Sequence, residues 1–198
     1  MTNSDPPTIE VNGENPICVT FISPIDSSTA SALITLLSEV VNEGHDEVHL
    51  FLSSPGGTVQ DGIAIYNFIM SLPVPCVTYN IGQVNSIGNV VYQAGQKKIS
   101  STTSSFMFHG AGYDVHNMRI QQKELMEIAD ALGNDQDLIS NILIKHTRLS
   151  LEEVDALFLE ETWIKAELAS ERGITDKVTE IHLPKGIEIR SLVFSESA

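Results

Sequence analysis

The chain has 198 residues, 42% of them hydrophobic, and a formal net charge of −15. That length suits one well-cored domain and the apolar content excludes wholesale disorder. So acidic a chain argues against nucleic acid or an anionic membrane surface as partner, and no apolar run approaches the ~20 residues that a bilayer span needs.

Met1 to Asn15 is polar, without the charged start and apolar centre of a signal peptide. Residues 1–16 therefore read as a flexible arm of a cytoplasmic protein, residues 17–183 as a single domain, and residues 184–198 as a tail that is an extended edge or loose. Cys18 and Cys76 sit inside apolar strand-like runs, as buried reduced thiols do. No cysteine or histidine spacing predicts a metal site, and no cofactor is implied.

In chain order, Ile17 to Ile22 predicts a strand, and Ser27 to Asn42 an amphipathic helix with Ala30, Leu33, Ile34, Leu37 and Val41 on one face. Val48 to Leu52 predicts a strand, and Val59 to Leu72 a helix. After Pro73 and Pro75 comes a strand over Cys76 to Ile81. Ser86 opens a helix through Ala94, with Gly95 at its end. Ile99 and Phe106 to Phe108 read as further short strands. Strand–helix alternation with short loops predicts an α/β fold with a largely parallel sheet, whose ligand sites lie at the carboxyl ends of strands.

From Asn117 to His146 the apolar period is helical, with Gly133-Asn134 as a candidate kink. Such a helix exceeds what one small sheet needs. It either protrudes and packs on a partner subunit or folds back as two helices. Ser150 with Glu153 resembles a capping box. Trp163 to Arg172 reads as a helix ending at Gly173, and Asp176 to His182 as a final strand.

Three segments at strand exits carry candidate chemistry: Ser54-Pro55-Gly56-Gly57, Gly82 to Gly88 with Ser86 inside, and Phe106-Met107-Phe108-His109. A serine in such a place is either a helix N-cap or a nucleophile with room for a substrate backbone. His109 is either a packed histidine or an imidazole facing a cleft, where it would shuttle a proton near neutral pH. Gly56-Gly57 is either a plain turn or a backbone donor to an oxyanion, with Ile87 N–H as the second donor. Glu160, Glu161, Asp155 and Asp176 lie downstream as candidate acids, and spacing does not rank them.

These segments together resemble the Clp proteolytic-subunit family of serine peptidases, within the broader crotonase-like fold. Ala94-Gly95 with the following lysines, the long helix, His146-Thr147, Ser150-Leu151-Glu152, and Ala166 through Gly173-Ile174-Thr175-Asp176 continue the match, from about Ile17 to Ile181. The resemblance implies repeated strand–helix units with a long protruding handle helix. It implies Ser86 as nucleophile, His109 as base and then acid, and Gly57 with Ile87 as oxyanion donors. The family's aspartate falls on Glu161, or on Glu160 if the register slips by one.

The chain departs from the family at that glutamate. It also has Gly110-Ala111 where the family has Gln-Pro, and no counterpart of the family's pore-forming N-terminal segment in Met1 to Pro16. The implied partners are unfolded polypeptide substrate and copies of the same chain in heptameric rings, singly or as a tetradecamer, with an AAA+ unfoldase as a candidate. The competing functions are a non-catalytic or partner-dependent ring subunit and a crotonase-like acyl-coenzyme A enzyme. A phage-type capsid-maturation protease is a variant of the peptidase reading.

Overall fold

The computed structural model describes residues 8–112 and 120–194. Residues 1–7 of the expected arm, Asn117–Arg119 of the expected long helix and residues 195–198 of the tail lie outside them. The strands are β1 (Pro16–Ile22), β2 (Glu47–Ser54), β3 (Cys76–Asn85), β4 (Lys97–Ser100), β5 (Ser105–Phe108), β6 (Thr162–Lys165), β7 (Lys177–Val178) and β8 (Glu188–Ser191). They form one eight-stranded sheet in the order β6-β5-β3-β2-β1-β8, with β4 against β3 and β7 against β4. Every pairing is parallel except β5 with β6.

Strand β3 is the branching point. Its residues Val77–Asn80 pair with β4, and Gln83–Asn85 pair with β5. It runs four residues beyond the expected end at Ile81, because β5 takes up the hydrogen bonds that β4 no longer reaches. Beside this change the β2–β3 register shifts between Leu52 and Ser54, so the sheet bends where the Gly-Gly turn leaves it.

Side chains alternate across the sheet with period two. Val19, Phe21, Leu50, Leu52 and Val84 face the main core. There they meet α1 (Ser27–Asn42), α2 (Val59–Ser71), α3 (Gly88–Gln93), the end of α4 (Gln122–His146), α5 (Leu151–Leu159) and α6 (Ala166–Glu171). Cys18, Phe51, Val77 and Tyr79 face the other way, under Ile9, Val11, Ile181 and Ile187. Both cysteines are buried and unpaired, one on each face.

Within the expected arm, residues 12–15 are held by two adjacent carboxylates. Glu47 accepts the N–H groups of Asn12 and Gly13, and Asp46 those of Glu14 and Asn15. In the expected tail, β8 adds an edge strand to β1.

Several expectations are corrected. Trp163 to Arg172 is not one helix: Thr162–Lys165 is strand β6 and only Ala166–Glu171 is helical. The β-prone Thr-Trp-Ile run pairs with the open edge of β5 and buries Ile164 against the core. The final strand expected over Asp176 to His182 is a ladder at Lys177–Val178 alone. The long helix is unbroken through Gly133-Asn134 and extends 25 residues, roughly 37 Å. Of its side chains only Ile139, Ser140 and Leu143 are buried, all in its C-terminal half. No helix among the described residues is long and apolar enough to cross a membrane.

The second face contains a buried histidine. His49 Nδ1 lies 2.9 Å from the Tyr79 hydroxyl, and Nε2 is 3.4 Å from the Glu47 carboxylate but makes no hydrogen bond. Burial lowers the His49 pKa, and the opposing pull of Glu47 does not cancel it. His146 is lowered too, by burial first and then by Lys145 and Lys98. Both imidazoles are harder to protonate in the fold than in the unfolded chain, which takes its protons below about pH 6.5. Acidification from there therefore favours unfolding. The thermal midpoint is expected to drop as the pH falls below about 6.5. In His49→Gln the slope should shrink to the part due to His146; an unchanged slope would show that His49 does not carry it.

Candidate active site

Chain direction reverses sharply at Ser86. Strand β3 ends at Asn85, and Ser86 has φ +54°, in the left-handed region that a residue with a Cβ enters at a cost of about 1–2 kcal/mol. Its N–H donates to the Met107 carbonyl at 2.8 Å, and its own carbonyl accepts the Asn89 N–H at 3.0 Å. The N-cap position of α3 belongs to Ile87, and the helix begins at Gly88 rather than at Ser86 as expected. The serine hydroxyl therefore caps nothing.

The Gly-Gly turn presses against that side chain. A Cβ on Gly56 would sit 2.6 Å from Ser86 Cβ and 3.2 Å from its hydroxyl oxygen, and Gly56 itself has φ +94°. Ser54 Oγ accepts the Gly56 N–H at 3.1 Å. The Gly56 carbonyl accepts from Ile25 N–H, and Ile25 in turn accepts from Thr58 N–H, each at 2.8 Å. A Cβ on Gly57 would lie 2.0 Å from the Ile25 carbonyl oxygen, so this position too is closed to side chains. These bonds leave the N–H groups of Gly57 and Ile87 without an acceptor among the described residues.

His109 follows the last residue of β5 and is half-buried. The antiparallel register of β5 and β6 pairs Met107 with Trp163 and Phe108 with Thr162, so His109 and Glu161 flank the last pair at the same end of the ladder. Glu161 is exposed, at φ +49°, in the turn between α5 and β6. Glu160 is the C-cap of α5, and the exposed Asp155 borders a surface hollow with Gly110. Asp176 is elsewhere. Its carboxylate accepts the Lys98 N–H at 2.8 Å. Lys98 pairs with Thr78, eight residues before Ser86 and so about 26 Å along β3.

The sheet thus gathers Ser86, His109, Glu161, Gly57 and Ile87 at one end. Among the described residues it does not join Ser86 to the His109 ring, or that ring to Glu160 or Glu161, by a hydrogen bond. Helix α4 crosses beside them: Asp135 accepts from the Gln60 amide at 2.6 Å, and Gln136 accepts the Ala111 N–H at 3.2 Å.

The Clp protease family model matches residues 14–182. The chain belongs to the Clp protease family. Among solved structures, a point mutant of ClpP1 from Listeria monocytogenes superposes with a TM-score of 0.74 at 20% identity, covering 82% of this chain and 91% of that one. The ClpP-like α/β fold expected from the sequence is therefore present, and with family membership the chain is a ClpP-like protease. Sequence reading placed Ser54 in a candidate segment but gave it no role, and missed Asn89, which lies under Ser86. A buried serine in a strand and a polar residue in a short helix give no local signal of either role.

Gly56→Ala is expected to cost at least about 2 kcal/mol, from the left-handed φ together with overlap on Ser86. Urea unfolding followed by circular dichroism measures this. An unchanged midpoint would mean that the turn stands clear of the serine.

Proposed function

We propose that the protein is a serine endopeptidase that cleaves unfolded polypeptide through an acyl-enzyme. Ser86 Oγ attacks the scissile carbonyl while His109 takes its proton, and the oxyanion is received by the N–H groups of Gly57 and Ile87. His109 then returns the proton to the leaving amine as the C–N bond breaks. Water, deprotonated by the same imidazole, releases the acyl group and restores Ser86. Glu161 orients the imidazole and balances its charge.

One observation carries this reading. Among the described residues, two that are not glycine have a left-handed φ, and they are Ser86 and Glu161. Strain of this kind gathers where function requires it, and here it falls on both ends of the proposed triad. The two unclaimed N–H groups beside Ser86 add support.

The same reading places the chain in a cytoplasmic ring assembly, heptameric and stacked through α4, fed by an AAA+ unfoldase. Leu125 and Met126 on the outer half of α4 are more than half exposed, at 58% and 62%, which suits a helix covered by another subunit. A second reading is favoured by the unjoined Ser86 and His109: the triad closes only on assembly, or the chain is a non-catalytic ring subunit.

Intact-mass analysis after a fluorophosphonate probe separates these. A single adduct on wild type that vanishes in Ser86→Ala is the expected result, with labelling slowed at least about 10²-fold in Glu161→Gln. Glu160→Gln should label within about twofold of wild type, since its neighbour holds the acid position. An adduct that persists in Ser86→Ala would falsify the nucleophile assignment. Labelling that appears only in the assembled ring would favour the second reading.

A further inference from the structure

Asn89 lies in the first turn of α3 with no exposure to solvent. Its side-chain nitrogen donates to the Met107 carbonyl at 2.8 Å and to the Ser86 carbonyl at 3.1 Å. Two acceptors facing one end of the amide fix which end is nitrogen. Its Oδ1 is buried and has no hydrogen-bond partner among the described residues.

Neither carbonyl needs this amide for its own sake. Met107 O already receives the Ser86 N–H, and Ser86 O already receives the Asn89 N–H. A buried unpaired oxygen is unfavourable, so a small apolar residue here would leave the backbone satisfied and remove that burden. What Asn89 adds is a tie between two chain segments. It joins the strained Ser86 turn to the exit of β5, two residues before His109.

Resting on the peptidase reading above, we propose that Asn89 is a positioning residue, holding the strand that carries His109 at a fixed place against the Ser86 turn. Ser86 and His109 share no side-chain hydrogen bond, so their spacing depends on what joins their backbones. Met107 O is that joint: it accepts one bond from the Ser86 backbone and one from the Asn89 amide.

The test uses full-length protein and two variants, Asn89→Ala and Asn89→Leu, which keeps the branched skeleton but not the hydrogen bonds. Hydrogen exchange reads the Ser86 amide against the amides of Val19 and Leu50 in the β1–β2 ladder. Fluorophosphonate labelling reads the saturated rate separately from the half-saturating concentration. In both variants the Ser86 amide should exchange at least 10-fold faster, with Val19 and Leu50 unchanged. The saturated labelling rate should fall 10- to 100-fold, with the half-saturating concentration held.

A Ser86 amide as protected as in wild type would overturn the proposal, and so would a rise in half-saturating concentration at constant rate. Unfolding of both variants would also count against it, since the tie is argued to be dispensable for the fold. If wild type takes up no probe, the peptidase reading fails, while the Ser86 amide alone still decides for or against the tie.

Discussion

Strand β3 has two successive partners on one side, and the site depends on that sharing. A strand that paired with β4 along its whole length would leave β5 no place beside Ser86. Because β4 departs after Asn80 and β5 joins at Gln83, the chain after Phe108 leaves the sheet beside the chain after Asn85. A proposed nucleophile and a proposed base, 23 residues apart in sequence order, thus become neighbours through backbone pairing. Antiparallel β6 completes the arrangement by bringing the α5–β6 turn to the same edge.

Backbone strain marks both sides of this arrangement. A left-handed φ is easier for asparagine or aspartate than for glutamate, whose side chain makes no comparable local bond. Glu161 is therefore held there by its surroundings: the C-terminus of α5 on one side and the β5–β6 ladder on the other. Ser86 is held in the same way, between the Met107 carbonyl and the Gly56 backbone.

Local signals made much of this legible. The bounds of α1 follow from its apolar face, and α5 from the Ser150–Glu153 capping box. The strand exits bearing Ser86, His109 and Gly57 stood out because each joins an apolar run to small residues. Illegible features depend on distant partners. The extension of β3 through Gly82-Gln83 has no apolar alternation and exists because β5 is there. Thr162–Lys165 becomes a strand because β5 offers an edge. The candidate acids could not be ranked along the sequence, since their ranking depends on the β5–β6 register and on the Lys98–Asp176 contact. Gly133 misled in the other direction: one glycine in an exposed helix costs about 1 kcal/mol, too little to break it.

Among the described residues, the buried side chains of helix α4 all lie in its C-terminal half. Ile139, Ser140 and Leu143 are buried in the core there, while neighbouring residues near its middle, Asp135 and Gln136, bond to Gln60 and to the Ala111 N–H. Gln60 follows the Gly57 turn, and Ala111 follows His109. The helix is thus a lever whose fulcrum is the core and whose midpoint is bonded to both segments at once. A tilt imposed on its outer end, some 20 Å from those contacts, would shift the segment after Gly57 and the segment after His109 without touching either.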